Sequence, residues 1–416
     1  MERIFQFKLI LFLLFTASIL EAKTIIVEPN NKEKTLKIAF EKAENGDTVR
    51  IRAGHYKEGP LFLKKGITLI GEDFPEIDGE GKHENLLVEH DNVTIIGVLF
   101  SNSGRSNFND IAALKIQNSK NVLIKNCRFK NNFFGIHTMN SSYVSYIDNQ
   151  IHAEKIKGKQ SANGIHIWKS EHMTVLNNVI EGHRDGIYLE FVMKSHIENN
   201  QSIDNSRYGM HFMFSHDNIF KKNLFKENGA GVAVMYSKRV TMLNNVFTGS
   251  WGNAAYGLLL KEIDDSKVIG NSFTENTTGI YGDGANRVDI ENNEFLRNGW
   301  ALKMNASSAD AEIIKNNFIG NTFDMATNGN LKVKSLDGNY WDKYEGYDLD
   351  RNSVGDIPYR PITFYSLIIE RNPGALMLFR SFFVKLMDKA ESVFPSLTPE
   401  NILDNEPKIK RNKIIA

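Results

Sequence analysis

The sequence predicts an all-β fold, a right-handed parallel β-helix of about 22 residues per coil with a short N-terminal capping helix and a C-terminal helical extension. Three observations predict it. A cluster of Gly, apolar, any residue, apolar recurs at Gly135, Gly164, Gly186, Gly209, Gly231, Gly257 and Gly279, with Ala301 in the next place. An Asn followed by large apolar side chains recurs at Asn149, Asn178, Asn200, Asn223, Asn245, Asn271, Asn293, Asn317 and Asn339, with Cys127 at its head. Both series step mostly by 22 or 23 residues and lengthen together, to 29 and then 26, at the same two coils. A fixed period with local alternation and no helical stripe marks a solenoid of short strands, in which every coil buries a face against the next.

In that register Ile187, Leu189, Met210, Phe212, Val232 and Val234 point inward as core. The Asn series needs no function: an Asn at a bend can bond amide to amide with its copy one rung away and satisfy backbone groups the bend would orphan. Cys127 in that series reads as a small buried residue.

Taken in order, residues 1–22 open with Arg3 and Lys8, continue with the apolar run 9–15 and end in small residues, the pattern of a cleaved secretory leader. The β-helix is expected over 23–339, with its first strand at 24–27 and a capping helix over 35–44 after a Thr35 N-cap. The first coils resemble those of the large group of β-helix proteins that bind or cleave carbohydrates. Residues 340–361 are rich in aromatic, acidic and turn-forming residues and close the repeat. Within them Asp348, Asp350, Asn352 and Asp356 alternate like calcium ligands, against the reading of an acidic turn capped by its own backbone. A helical extension is expected over 362–395, with 373–394 an amphipathic helix whose side with Leu376, Phe379, Phe383 and Leu386 either caps the coil or docks on a partner. Residues 396–416 read as a tail, basic over 408–413 and expected to be disordered.

Composition narrows the function classes. Lys plus Arg equals Asp plus Glu at 50 each, so zero formal net charge argues against a general nucleic-acid binder. One Cys cannot form an internal disulfide. No phosphate-binding Gly-Lys-Ser/Thr loop occurs.

Chemistry is expected on the outward face. The second residues after the repeat Gly are His137, His166, Tyr188, His211, Ala233, Leu259, Tyr281 and Lys303; the fourth are Met139, Trp168, Glu190, Met213, Met235, Lys261, Asp283 and Asn305. Rungs about 4.8 Å apart bring each column into contact. Two constellations result: His137, Met139 and His166, and His211, Met213 and Met235 with Glu190 one rung away. Thioether with imidazole, lacking thiolate, is a ligand set for Cu(I). Eight of 11 His lie within 137–216 and seven of 12 Met within 139–242, and this clustering is the evidence. His172, Met173, Met193, His196 and His216 lie near the following turns as secondary ligands. Against this stand the bland reading, surface His and core Met, and the risk that a one-residue slip swaps the faces. Two other classes stay open. A carbohydrate-active enzyme would use His183, Arg184, Asp185 and Glu190, or Lys261, Glu262, Asp264, Asp265 and Asp283. A structural solenoid needs only the repeat.

The stretches RDGIYLEFVMKS (184–195), RYGMHFMFS (207–215), AGVAVMYS (230–237), YGLLLKEIDDS (256–266), GNTFD (320–324), YWDKYEGYDLD (340–350) and GDIPYRP (355–361) resemble the NosD family of nitrous oxide reductase maturation proteins. The resemblance implies a periplasmic protein without catalytic residues. It implies an ABC transporter with ATPase NosF and permease NosY, a copper chaperone NosL and the reductase apoprotein as partners, and a role in receiving and carrying copper.

Overall fold

Many of the short strands, such as Val179–Glu181 and Thr241–Leu243, bury their middle residue between two more exposed ones, so stacking coils seals one continuous interior. The computed structural model describes residues 22–106, 108–155, 161–393, 398 and 402–414; the leader expected over 1–22 lies, but for Ala22, outside them. The strands form a parallel β-helix, with a 24-stranded sheet and a 13-stranded sheet running along its length. Successive coils pair in parallel, as in Tyr208–Met213 on Ala230–Met235 and Leu224–Lys226 on Val246–Thr248. The expected core holds: Ile187, Leu189, Met210, Phe212, Val232 and Val234 are all fully buried. The Gly positions also have a physical reason. A Cβ on Gly209 would stand 2.7 Å from the Gly231 carbonyl oxygen, and one on Gly231 only 2.3 Å from that of Gly257.

The Asn ladder runs as expected from Asn149 to Asn293, each amide nitrogen donating to the oxygen of the next at 2.9–3.1 Å. It then passes through Asn316, not Asn317, before reaching Asn339. The side chain two residues on decides this. Asn316 precedes Phe318 by the same interval that Asn293 precedes Phe295, and Phe225, Phe247, Phe273, Phe295, Phe318 and Trp341 stack at 4.1–5.3 Å. A second ladder, Asn205 to Asn228 and Asn276 through Asn298 to Asn321, lines another bend. Cys127 is buried, and burial pushes its thiol up to about 12.

Both ends are closed. Helix α1 (Leu36–Lys42) starts on Thr35, whose hydroxyl accepts from the Ile38 N–H, and buries Leu36, Ala39 and Phe40 in the first coils. At the other end the extension opens with α2 (Phe364–Arg371), and the single helix expected over 373–394 is two pieces, a 3-10 turn (Pro373–Leu378) and α3 (Phe382–Val393). Arg380, with φ +63°, breaks the chain between the last two. Residues 402–414 are packed rather than disordered. Asp404 is fully buried, accepting from Trp341 Nε1 at 2.8 Å and the Asn339 N–H at 3.1 Å, while Asn412 pairs with Asn317 at 2.8 and 2.9 Å. One carboxylate that satisfies the last free amides outweighs the charge pattern from which disorder was expected.

Candidate metal-binding face

The outward columns fall in the expected register. Lys115, His137, His166, Tyr188, His211 and Ala233 are successive partners, as are Gln117, Met139, Trp168, Glu190, Met213, Met235 and Lys261. The imidazoles point away from the core, yet they are not solvent-facing as the alternation implied: His137, His166 and His211 are 2%, 9% and 4% exposed. Ring stacking explains the difference. His137 and His166 stack at 4.7 Å, His166 and Tyr188 at 4.8 Å, and Tyr188 and His211 at 4.7 Å, while Phe134 covers the first two.

In the first constellation burial holds His137 down to about 4 and His166 to about 3, so both rings are neutral near pH 7. His137 Nδ1 and both nitrogens of His166 are buried without a hydrogen-bond partner. Face-to-face stacking sets the two lone pairs side by side rather than convergent. Sharing one ion therefore needs a ring rotation, which for His166 breaks no hydrogen bond. Met139 lies beside Trp168, not His166. A cavity of about 540 Å³ opens on His137 and Met139, lined also by His83, Glu84, Lys115 and Phe108.

In the second constellation Met213 and Met235 are partners on adjacent rungs and Glu190 stands one rung before Met213. His211 is clamped between Tyr188 and Tyr208, with ring centroids at 4.7 and 4.9 Å. Its Nδ1 accepts from Arg207 at 3.1 Å, and its buried Nε2 has no partner. Arg207 also donates Nε to Asp185 at 2.8 Å. Burial alone would raise the Asp185 carboxyl; the hydrogen bonds and the charge of Arg207 hold it below the usual range.

The remaining candidates are dispersed. His216 sits beyond the Phe214 corner with Nδ1 taken by the Lys238 N–H, His196 is on Glu198, His172 stacks on Tyr143 and Met173 is core. Met193 is 39% exposed. His183 is buried on the Ala162 carbonyl, and Arg184 reaches Asn163. Asp264 and Asp265 pair with Lys238 and Arg287, and Asp283 takes Ser307 and Asn305, so the second acidic group is spread along charge-paired corners. The oxygens of Asp348, Asp350, Asn352 and Asp356 accept from backbone N–H groups of Asn352, Ser353, Val354 and Leu349, the self-capped turn.

One feature went unread in the sequence. Phe191, Phe214 and Tyr236, the fifth residues after the repeat Gly, stack at 5.2 and 5.1 Å and are 43%, 40% and 38% exposed. All three have φ of +50° to +53° at a corner that Asn118, Asn140 and Gly284 occupy on other rungs. Bulky residues there are strained, and exposed rings oppose solubility, so the stripe beside Met213 and Met235 is an unusual expense. The fifth positions of the repeat would have shown it.

The family model described as "Periplasmic copper-binding protein (NosD)" matches residues 147–346. "Probable ABC transporter binding protein NosD" of Stutzerimonas stutzeri is 27% identical over 382 residues, covering 87% of this chain and 86% of its own. Its namesake from Pseudomonas aeruginosa is 27% identical over 381 residues, covering 86% and 87%. Among solved structures, the Dettilon tailspike protein superposes with a TM-score of 0.51 at 13% identity, covering 74% of this chain and 68% of the tailspike, a likeness of fold alone. The matched span takes in both constellations except His137 and Met139, the likeness to the two relatives runs along most of the chain, and the coils stack as the repeat requires: the chain is a NosD-like parallel β-helix protein.

Proposed function

We propose that this protein is a periplasmic accessory factor of nitrous oxide reductase maturation that accepts Cu(I) and passes it on for copper-centre assembly. Copper is cargo here, and the chain supplies no catalytic residue. The observation that carries the reading is the outward face itself, where unpartnered buried imidazole nitrogens of His137, His166 and His211 stand in register with the thioethers of Met139, Met213 and Met235. Neutral imidazole and thioether suit a soft ion, and few, exchangeable ligands suit transfer. The relatives' printed names, copper-binding and ABC transporter binding, agree with it. The partners in this reading are the permease NosY and ATPase NosF, the chaperone NosL and the reductase apoprotein. Among the described residues no helix is long and apolar enough to cross a membrane. Membrane association would then come through a partner on Leu376, Phe379, Phe383 and Leu386, which are 39–54% exposed. Calcium is not part of the proposal, because the acidic turn spends its oxygens on its own backbone.

A carbohydrate-active reading has one observation on its side, the Asp185, Arg207, His211 and Tyr188 cluster on the outward face. Anaerobic Cu(I) titration of the mature protein against a competing chelator separates the two. Copper-selective binding that weakens at least about ten-fold when His211, Met213 and Met235 are replaced together, with an unchanged β circular dichroism signal, supports the carrier. Absence of binding by the intact fold removes it and leaves a scaffold or a sugar-active site.

A further inference from the structure

Away from the copper-candidate face, on the shorter sheet, three side chains converge that neither the repeat nor the family likeness singles out. His55 in the strand His55–Tyr56 lies one rung from Glu76 in the strand Glu76–Asp78, and Asp78 follows two residues on, on the same side. One ligand atom from each lies within 4.8 Å of the others. His55 Nε2 and Asp78 Oδ2 are 2.8 Å apart.

Groups outside the trio fix the two carboxylates. Asp78 Oδ1 accepts from the Glu80 N–H at 2.8 Å and Asn102 Nδ2 at 3.1 Å, leaving Oδ2 for the centre. Glu76 Oε1 accepts from Ser101 Oγ at 2.6 Å. Outer partners that hold one oxygen and release the other are how proteins orient metal-ligating carboxylates. Charge points the same way. Asp78 is 7% exposed, and among the described residues no Lys or Arg makes an ion pair with it or with Glu76, so a bound cation would supply the counter-charge these two acids lack.

We propose that His55, Glu76 and Asp78 form a divalent-cation site of the imidazole-and-two-carboxylate type, with Zn2+ the matching ion. The donor set contains no sulfur, so it selects a borderline ion over Cu(I). Binding replaces the hydrogen bond between His55 Nε2 and Asp78 Oδ2 with a bond from each to the metal, and three protein ligands leave a further position to water. The site is independent of the copper reading. It also bears on it, because oxidised Cu(II) would enter this trio and counterfeit a carrier site, whereas Cu(I) would not.

Isothermal titration of the mature, metal-stripped protein with Zn2+ tests this. His55, with its side chain 46% exposed, can be replaced without disturbing the core. One equivalent bound by the wild type, at least ten-fold weaker in His55→Ala and in Glu76→Gln but unchanged in the His211, Met213 and Met235 triple variant, is the expected result. No zinc binding by the wild type, or equal binding by His55→Ala, overturns the proposal.

Discussion

The two soft-ligand constellations lie on one face, three rungs apart, and are built in opposite ways. The first is rich in unengaged imidazole: His137 and His166 stack with free nitrogens against an open cavity, and burial keeps them neutral. The second is rich in sulfur, and its single imidazole is already fixed by Arg207 and, through it, Asp185. One group is poised by what it lacks, the other by what holds it. The contrast teaches that residue type alone does not define a ligand; the neighbours decide whether a lone pair is free, and whether a ring can turn.

The largest test uses acid. His137 and His166 have folded values near 4 and 3, below the unfolded value of about 6.5, so the unfolded chain binds more protons between those limits. Stability therefore rises with pH through this window and is lost as pH falls. Between about pH 7.5 and 5 the loss is about 2 kcal/mol for each ring. Chemical denaturation at the two pH values should show it, and His137→Phe with His166→Phe should flatten it; an unchanged slope in that double variant would mean the rings are not buried as described.

Next comes the clamp of the second constellation. Asp185→Ala leaves Arg207 without its carboxylate and frees His211, at a cost of about 1–2 kcal/mol, less than for a fully buried pair because the Arg207 side chain is 43% exposed. Cu(I) affinity should fall with His211 unclamped while the His137 group is untouched, and equal melting temperatures for wild type and variant would show that the clamp is idle. The smallest effect is expected at the aromatic stripe. Phe214→Gly removes a left-handed strain of about 1–2 kcal/mol and gives up ring contacts worth about 0.5–1.5 kcal/mol on each side, so the melting temperature should move by no more than about 3 °C. A large fall would make the stripe a structural support instead of a surface kept for contact.

The β-helix was legible because its signals are periodic: two series of Gly and Asn reported the coil length, and alternation then gave the inward residues and both outward columns. The misplaced rung at Asn317 shows the limit, since two adjacent Asn residues satisfy the same pattern until the Phe318 stack chooses Asn316. The burial of His137, His166 and His211 was not legible, for ring stacking along a column depends on rotamers that no spacing encodes. The His55, Glu76 and Asp78 trio was missed for another reason: it spans two coils before the repeat becomes regular. The C-terminal segment was misjudged because its order comes from Asp404 meeting amides some 65 residues earlier in the chain.

That last contact has a consequence for how the molecules behave toward one another. A stack of coils is a template, and its final rung would welcome the first rung of another copy. Asp404 occupies the terminal amide of the Asn ladder, the Lys408 N–H takes the Asn339 carbonyl, and α1 lies over the opposite end, so neither terminus can seed growth. A chain cut before residue 402 would keep its coils and lose its stopper, and end-to-end polymers, rather than unfolding, would be its characteristic failure.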